Sequence, residues 1–117
     1  MTKKIMIVDD DPAITRYLDA LFTDNGYDTC VADDGKKAMT VFMENEPDLI
    51  TLDLEMPEEW GPRFFRKLSK TAGFNTPVIV ISGLSGRKYS IPKAEAFFAK
   101  PFDTEALLKA VQNVLTG

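Results

Sequence analysis

Side chains able to do chemistry recur at four places along the 117-residue chain, each time just after a short apolar run. Asp9-Asp10-Asp11 follows Ile5 to Val8, and Asp53 follows Leu49 to Leu52. Ser82-Gly83 follows Val78 to Ile81, and Lys100-Pro101 follows Ala96 to Ala99. Taken singly, each has a structural explanation. Asp11 caps a helix, Asp9 and Asp10 are loop acids, Asp53 ends a strand, Ser82 opens a turn and Lys100 is a surface lysine. Taken together, they make a specific problem and its solution. Carboxylates gathered at one edge repel one another and must take up protons or a cation. The chain has no His and one Cys, so the usual soft-ligand metal sites are excluded and the cation must be hard. Mg²⁺, held by one or two carboxylates plus water and phosphate oxygens, suits such a cluster better than Ca²⁺, which needs more protein ligands. A lysine opposite the metal supplies a second positive charge for a dianionic group. Carboxylate, metal, hydroxyl and ammonium around one point make a site for phosphoryl transfer onto an aspartate.

The elements that must position these residues are legible in the same runs. Runs of four to six residues rich in Val and Ile, without alternation, suit strands covered on both faces, as in parallel sheets; Tyr27 to Ala32 is a weaker fifth run. Between them the apolar residues recur with helical period: Ile14, Leu18, Leu21 and Phe22; Ala38, Val41 and Phe42; Phe64 and Leu68; Leu107, Val111, Val114 and Leu115. Asp11 before Pro12 predicts a helix start and Asn25-Gly26 a helix stop, while Asp103 predicts the cap of the last helix. Strands alternating with helices predict an α/β fold, a doubly wound parallel sheet with helices on both faces and right-handed crossovers. Ligands of such sheets bind at the carboxyl ends of the strands, where all four groups of polar residues fall. With no repeat, low-complexity tract or linker, residues 1–117 are expected to form one domain.

Composition narrows the function classes. A chain of this size buries roughly two-thirds of its unfolded surface, so a core forms without staples. Cys30 has no partner within the chain, and an oxidising compartment is not implied. A net charge of −4 argues against a surface that tracks nucleic acid. The one local basic patch, Arg63, Arg66, Lys67 and Lys70, is read as a solvated helix face. The four apolar residues before Asp9 fall short of the roughly 7–15 that a signal peptide needs. No membrane span is evident, and the expected location is the cytoplasm.

At this point the sequence closely resembles the receiver domain of two-component response regulators. The matching pieces are Ile7-Val8-Asp9-Asp10-Asp11-Pro12, Leu52-Asp53-Leu54-Glu55-Met56-Pro57 followed by Gly61, Val80-Ile81-Ser82-Gly83, and Lys100-Pro101-Phe102. Their order and spacing cover the whole chain. The resemblance implies a flavodoxin-like five-stranded sheet of order 2-1-3-4-5. It implies that Asp53 accepts a phosphoryl group from a phosphohistidine on a histidine kinase or histidine phosphotransfer protein. Asp10, Asp53 and the backbone carbonyl of Glu55 would ligate Mg²⁺, with Asp9 acting through water. Lys100 would pair with one phosphoryl oxygen and Ser82 would donate to another. Phe97 falls at the aromatic switch position, where ring burial accompanies movement of the hydroxyl residue. Such a module catalyses only its own phosphorylation and dephosphorylation, and with no output segment after the last helix it is expected to stand alone.

Rival readings are a small Mg²⁺-dependent aspartyl phosphatase, a nucleotide or flavin binder, and a degenerate receiver that only binds partners. The first would place a second Asp where Glu55 stands and has no room for a cap domain. The second lacks a Gly-rich loop after the first strand. The third sits poorly with five site positions that all retain usable chemistry.

The sequence departs from the family between Ser82 and Lys100. There the longest stretch free of Gly and Pro before Pro92 is five residues, about 7.5 Å of helix against the roughly 17–20 Å length of a strand. Residues 83–95 are therefore expected to hold no regular helix longer than about two turns, and to be the most mobile part of the chain. Glu55 adds a negative charge beside the site. Trp60 is read either as a partner anchor or as packing over the third helix.

Overall fold

The computed structural model describes residues 2–56, 60–83 and 94–116. At the centre of its sheet, β1 (Lys4–Val8) pairs with β2 (Asp28–Ala32) on one side and with β3 (Leu49–Leu52) on the other. Beyond β3 come β4 (Val78–Ser82) and β5 (Ala96–Ala99), giving a five-stranded, all-parallel sheet of order β2-β1-β3-β4-β5. The order implied by the resemblance is the order found. Helices α1 (Pro12–Asp24), α2 (Gly35–Asn45), α3 (Trp60–Ser69) and α4 (Thr104–Thr116) flank it.

Side chains alternate between two cores because successive strand residues face opposite ways. Ile5, Ile7, Leu49, Ile79 and Ile81 meet Leu18 and Phe22 of α1 and Leu107 and Val111 of α4. Met6, Val8, Ile50, Leu52, Val78 and Val80 meet Ala38 of α2 and Phe64 and Leu68 of α3. The central strands are buried on both faces, which is why their runs carry no polar alternation. The edge strands are only partly buried, and β2 accordingly carries the weaker signal. Tyr27 precedes β2 and packs edge-on against Phe22, ring centroids 6.5 Å apart.

Helix ends follow the expected chemistry. The Asp11 side chain accepts from the Ala13 N–H at 2.9 Å with Pro12 at the first helical position. α1 stops at Asn25, and Gly26 adopts a φ of +90°. Asp103 accepts from the N–H groups of Glu105 and Ala106 at 2.9 and 3.2 Å. Two ends carry signals not read in the sequence. Asp34 caps α2 by accepting from the Lys37 N–H at 2.8 Å, and Glu46 ends it in the left-handed region, φ +46°. The expectation about the connector after β4 falls on residues 84–93, outside the described residues.

Thr51 is an exception to the apolar core. It stands between Ile7 and Ile79 in the register of β1, β3 and β4, and its hydroxyl is the one buried side-chain polar atom without a hydrogen-bond partner among the described residues. An unsatisfied buried hydroxyl carries its desolvation penalty with no return. Thr51→Val, which keeps the branched shape, should therefore stabilise the fold by about 1 kcal/mol, a rise of roughly 4 °C or more in Tm for a domain of this size. Thermal unfolding followed by circular dichroism checks this; an unchanged or lower Tm would contradict it.

Candidate functional site

β1 and β3 are hydrogen-bonded neighbours in register, Val8 opposite Leu52, so Asp9 and Asp53 leave the sheet side by side. The backbone enforces this: the Asp53 N–H donates to the Val8 carbonyl at 2.9 Å and the Asp9 N–H to the Ala32 carbonyl at 3.3 Å. Both carboxylates are buried, at 2 and 3% exposure, whereas Asp10 is exposed. Carboxylate oxygens of Asp9, Asp10 and Asp53 lie within 4.8 Å of one another. Such close oxygen donors around a shared point fit a hard divalent cation, and one lysine cannot balance three carboxylates.

That lysine is Lys100, brought in by β5. Its N–H donates to the Ser82 carbonyl at 2.8 Å, and the Lys100–Pro101 peptide is cis. The ammonium donates to Asp9 Oδ2 at 2.8 Å and stands 3.6 Å from Asp53 Oδ2. Ser82, the last residue of β4 and fully buried, donates its hydroxyl to Asp53 Oδ1 at 2.9 Å and accepts from the Leu54 N–H at 3.3 Å. The Glu55 N–H donates to the same Asp53 oxygen at 3.0 Å. Asp53 is thus fixed in rotation by two donors on one oxygen, with the ammonium facing the other.

All five polar positions read from the strand ends, Asp9, Asp10, Asp53, Ser82 and Lys100, converge here. Phe97 does not. It lies on the edge strand opposite Val80, 36% exposed, while its neighbour Phe98 packs into the α1–α4 core. The Glu55 side chain is exposed and lies over the backbone after Ser82: a Cβ at Gly83 would stand 2.0 Å from Glu55 Oε1. Trp60, half-buried, packs rather than projects. Arg63 and Lys67 lie 5.6 and 5.8 Å from its ring centroid, and a Cβ at Gly35 would come within 2.2 Å of the Trp60 Cβ. Gly61 brings α3 against the site, since a Cβ there would meet the Asp53 carbonyl oxygen at 2.3 Å. The backbone donors of Leu54, Glu55 and Asp11, the last holding Asp9 Oδ1 at 2.9 Å, carry no signal in residue type and were not anticipated. Gly61 did carry one, as the glycine following the Asp53 segment.

Electrostatics oppose each other within the cluster. Burial pushes the Asp9 carboxyl above its ordinary value, more than the hydrogen bonds from Lys100 and the Asp11 N–H pull it back. Burial also works to lower Lys100, but the hydrogen bond to Asp9 and the charges of Asp53 and Asp9 outweigh it and hold the ammonium above its ordinary value. The native state therefore holds the Lys100 proton more tightly than the unfolded chain does. That stabilisation is complete below pH 10.5 and is lost as pH climbs through the higher folded value. Asp9 acts with the same sign at the acid end, so stability falls as pH rises from 3.8 through its raised value. In metal-free buffer, Lys100→Met should lower stability at neutral pH by about 1–2 kcal/mol, protonation of Asp9 limiting the loss, and should lack the alkaline step. Urea midpoints against pH for both proteins test this; parallel curves would contradict it.

The residues 5–112 match the family model of the response regulator receiver domain. Protein Rrf1 of Nitratidesulfovibrio vulgaris is 35% identical over 98% of this chain and 84% of its own length. The probable transcriptional regulator ycf27 of Porphyridium aerugineum is 32% identical over 97% of the chain, and the chain spans about half of that relative's length, 48%. Among solved structures, the Francisella response regulator 1452 receiver domain superposes with a TM-score of 0.84 at 32% identity, covering 98% of both chains. Chemotaxis response regulator CheY4 of Vibrio cholerae gives 0.86 at 29% identity, covering 98% of this chain and 100% of that one. A doubly wound sheet of receiver order, these relatives and a match over nearly the whole length have one reading: the chain belongs to the response regulator receiver domains, the phosphoryl-accepting signalling modules of two-component systems.

Proposed function

We propose that Asp53 is the phosphoacceptor, taking its phosphoryl group from a phosphohistidine of a partner histidine kinase or histidine phosphotransfer protein. The observation that carries this reading is the meeting of four strand ends at one point. A buried Asp53 there has a serine hydroxyl at 2.9 Å, an ammonium at 3.6 Å and two further carboxylates within 4.8 Å. Residues 1–117 contain no His, so the donor imidazole lies outside this sequence. Transfer forms a bond from an Asp53 carboxylate oxygen to phosphorus and breaks the donor's phosphorus–nitrogen bond; the imidazole leaves and takes up a proton from water.

Asp10, Asp53 and the Glu55 backbone carbonyl would hold Mg²⁺ directly, with Asp9 acting through water. The bound cation supplies positive charge against which carboxylates and phosphoryl oxygens can approach one another. Lys100, already tethered to Asp9, neutralises a further phosphoryl oxygen. The Ser82 hydroxyl exchanges Asp53 Oδ1 for a phosphoryl oxygen, and that movement vacates space into which Phe97 turns from its exposed position. The domain, taken as residues 1–117 and acting in the cytoplasm, thereby changes its protein contacts. It catalyses only its own phosphorylation and dephosphorylation.

Incubation with acetyl phosphate and Mg²⁺ should add one phosphoryl mass that hydroxylamine removes, and Asp53→Asn should not be labelled. Equal labelling of that variant would move the acceptor elsewhere. For the metal alone, Asp10→Asn should weaken Mg²⁺ binding on the order of tenfold, more than Asp9→Asn, whose link runs through water. Titration followed by the single tryptophan, Trp60, reads both, and equal affinities of wild type and Asp10→Asn would remove Asp10 from the ligand set.

A further inference from the structure

α3 presents a face that the phosphoryl chemistry does not use. Arg63, Arg66, Lys67 and Lys70 are all exposed, and with Trp60 they line a shallow depression of about 380 Å³. Their spacing of i, i+3, i+4 and i+7 sets them along one stripe about 10.5 Å long. Among the described residues none of the four forms an ion pair, whereas Lys37 pairs with Asp33 at 3.5 Å and Lys100 with Asp9 at 2.8 Å. Arg66 and Lys67 stand in the last turn of α3, where a cation complements the helix dipole. That accounts for two of the four. Arg63 lies in the first half of the helix and Lys70 beyond its end, so the stripe as a whole has no such explanation. Like charges at helical spacing repel one another, and an anion laid across them relieves all of the repulsions at once.

We propose that this face of α3 docks a short acidic segment of a partner protein. Arginine forks donate paired hydrogen bonds to carboxylates. The indole of Trp60, held by Arg63 and Lys67 at 5.6 and 5.8 Å, supplies an apolar floor of the kind that anchors interfaces. The surroundings limit the anion at the Trp60 end. Trp60 also lines the neighbouring depression, whose other walls include Asp10, Asp33 and Asp34. A long phosphate backbone following α3 would run into those acids, whereas a segment with a few Asp or Glu residues ends before them. The proposal does not depend on phosphoryl transfer at Asp53.

The test uses a short oligoglutamate peptide and the full chain in low salt. Its binding should change Trp60 fluorescence and shift the backbone amide signals of α3, and should fade as salt is raised. Arg66→Gln/Lys70→Gln should weaken it on the order of tenfold, each exposed pair being worth up to about fivefold, while Lys3→Gln/Lys109→Gln, outside the stripe, should not. Equal affinity of the two double variants, or no response of Trp60 and α3, overturns the docking site. Tighter binding of a single-stranded oligonucleotide than of the peptide overturns the partner class. Self-association of the wild type that Arg66→Gln/Lys70→Gln abolishes overturns it in favour of a second copy of the chain.

Discussion

Two carboxylates that would separate in water are held together by a backbone that gives them no choice. The β1–β3 register places Val8 opposite Leu52, so the next residue of each strand, Asp9 and Asp53, emerges at the same edge with its side chain buried. At the separation observed, within 4.8 Å, two unit charges repel by at least about 3.5 kcal/mol at an effective dielectric constant of 20. That repulsion is sustained by the central sheet, whose apolar side chains lose all contact with water on both faces. Each large one contributes roughly 1.5–3 kcal/mol, and the sheet tolerates the acids for that reason. The fold stores unfavourable charge at the site and keeps it fixed.

Every other feature of the site answers that stored charge. Lys100 arrives from β5 carrying one positive charge, and Ser82 arrives from β4 with a hydroxyl directed at Asp53 Oδ1. The backbone donors of Asp11 and Glu55 each satisfy one carboxylate oxygen. These partners satisfy hydrogen-bonding capacity but leave a net negative charge, and Asp9 remains harder to ionise than an ordinary aspartate because its burial outruns its pairing. A site in that condition gains from any cation or electrophile that can reach it. The exposure of Asp10, beside the buried Asp9, provides the approach from solvent.

How much of this was legible in the sequence follows from which interactions depend on side-chain type. Asp11-Pro12 and Asp103 mark helix starts because a capping carboxylate and a proline act locally, and both were readable. The non-alternating runs of β1, β3 and β4 were readable because burial on both faces admits few polar residues. Strand pairing, by contrast, depends on backbone groups that every residue carries, so the order of the sheet came through resemblance rather than from periodicity. The edge strand β2 reads weakly because Asp28 and Val31 face solvent. In the site, the side chains were found and the backbone donors were not, for the same reason. Trp60 had two readings, and its packing against Gly35, a contact made across residues too distant in sequence for any local pattern to carry, puts its base in the α2–α3 layer while its ring still borders the basic stripe.

The position of α3 connects the two electrically opposite parts of the surface. Gly61 puts the start of the helix against the Asp53 carbonyl, so close that a methyl group would not fit, and Trp60 before it borders both the acidic depression and the basic stripe. Leu54 and Glu55 are held by their N–H groups to Ser82 and Asp53, and α3 is held by the Gly61 contact and by its Phe64 and Leu68 in the core. Packed interiors do not deform continuously, so a change in the hydrogen bonds of Asp53 Oδ1 acts directly on Ser82 and on the Glu55 backbone. Gly61 lies against the Asp53 carbonyl and the Leu54 Cα, and the helix that carries it presents the charged face outward. The close approach that glycine permits thus makes the α3 backbone a direct neighbour of the site, with no intervening side chain to absorb a displacement.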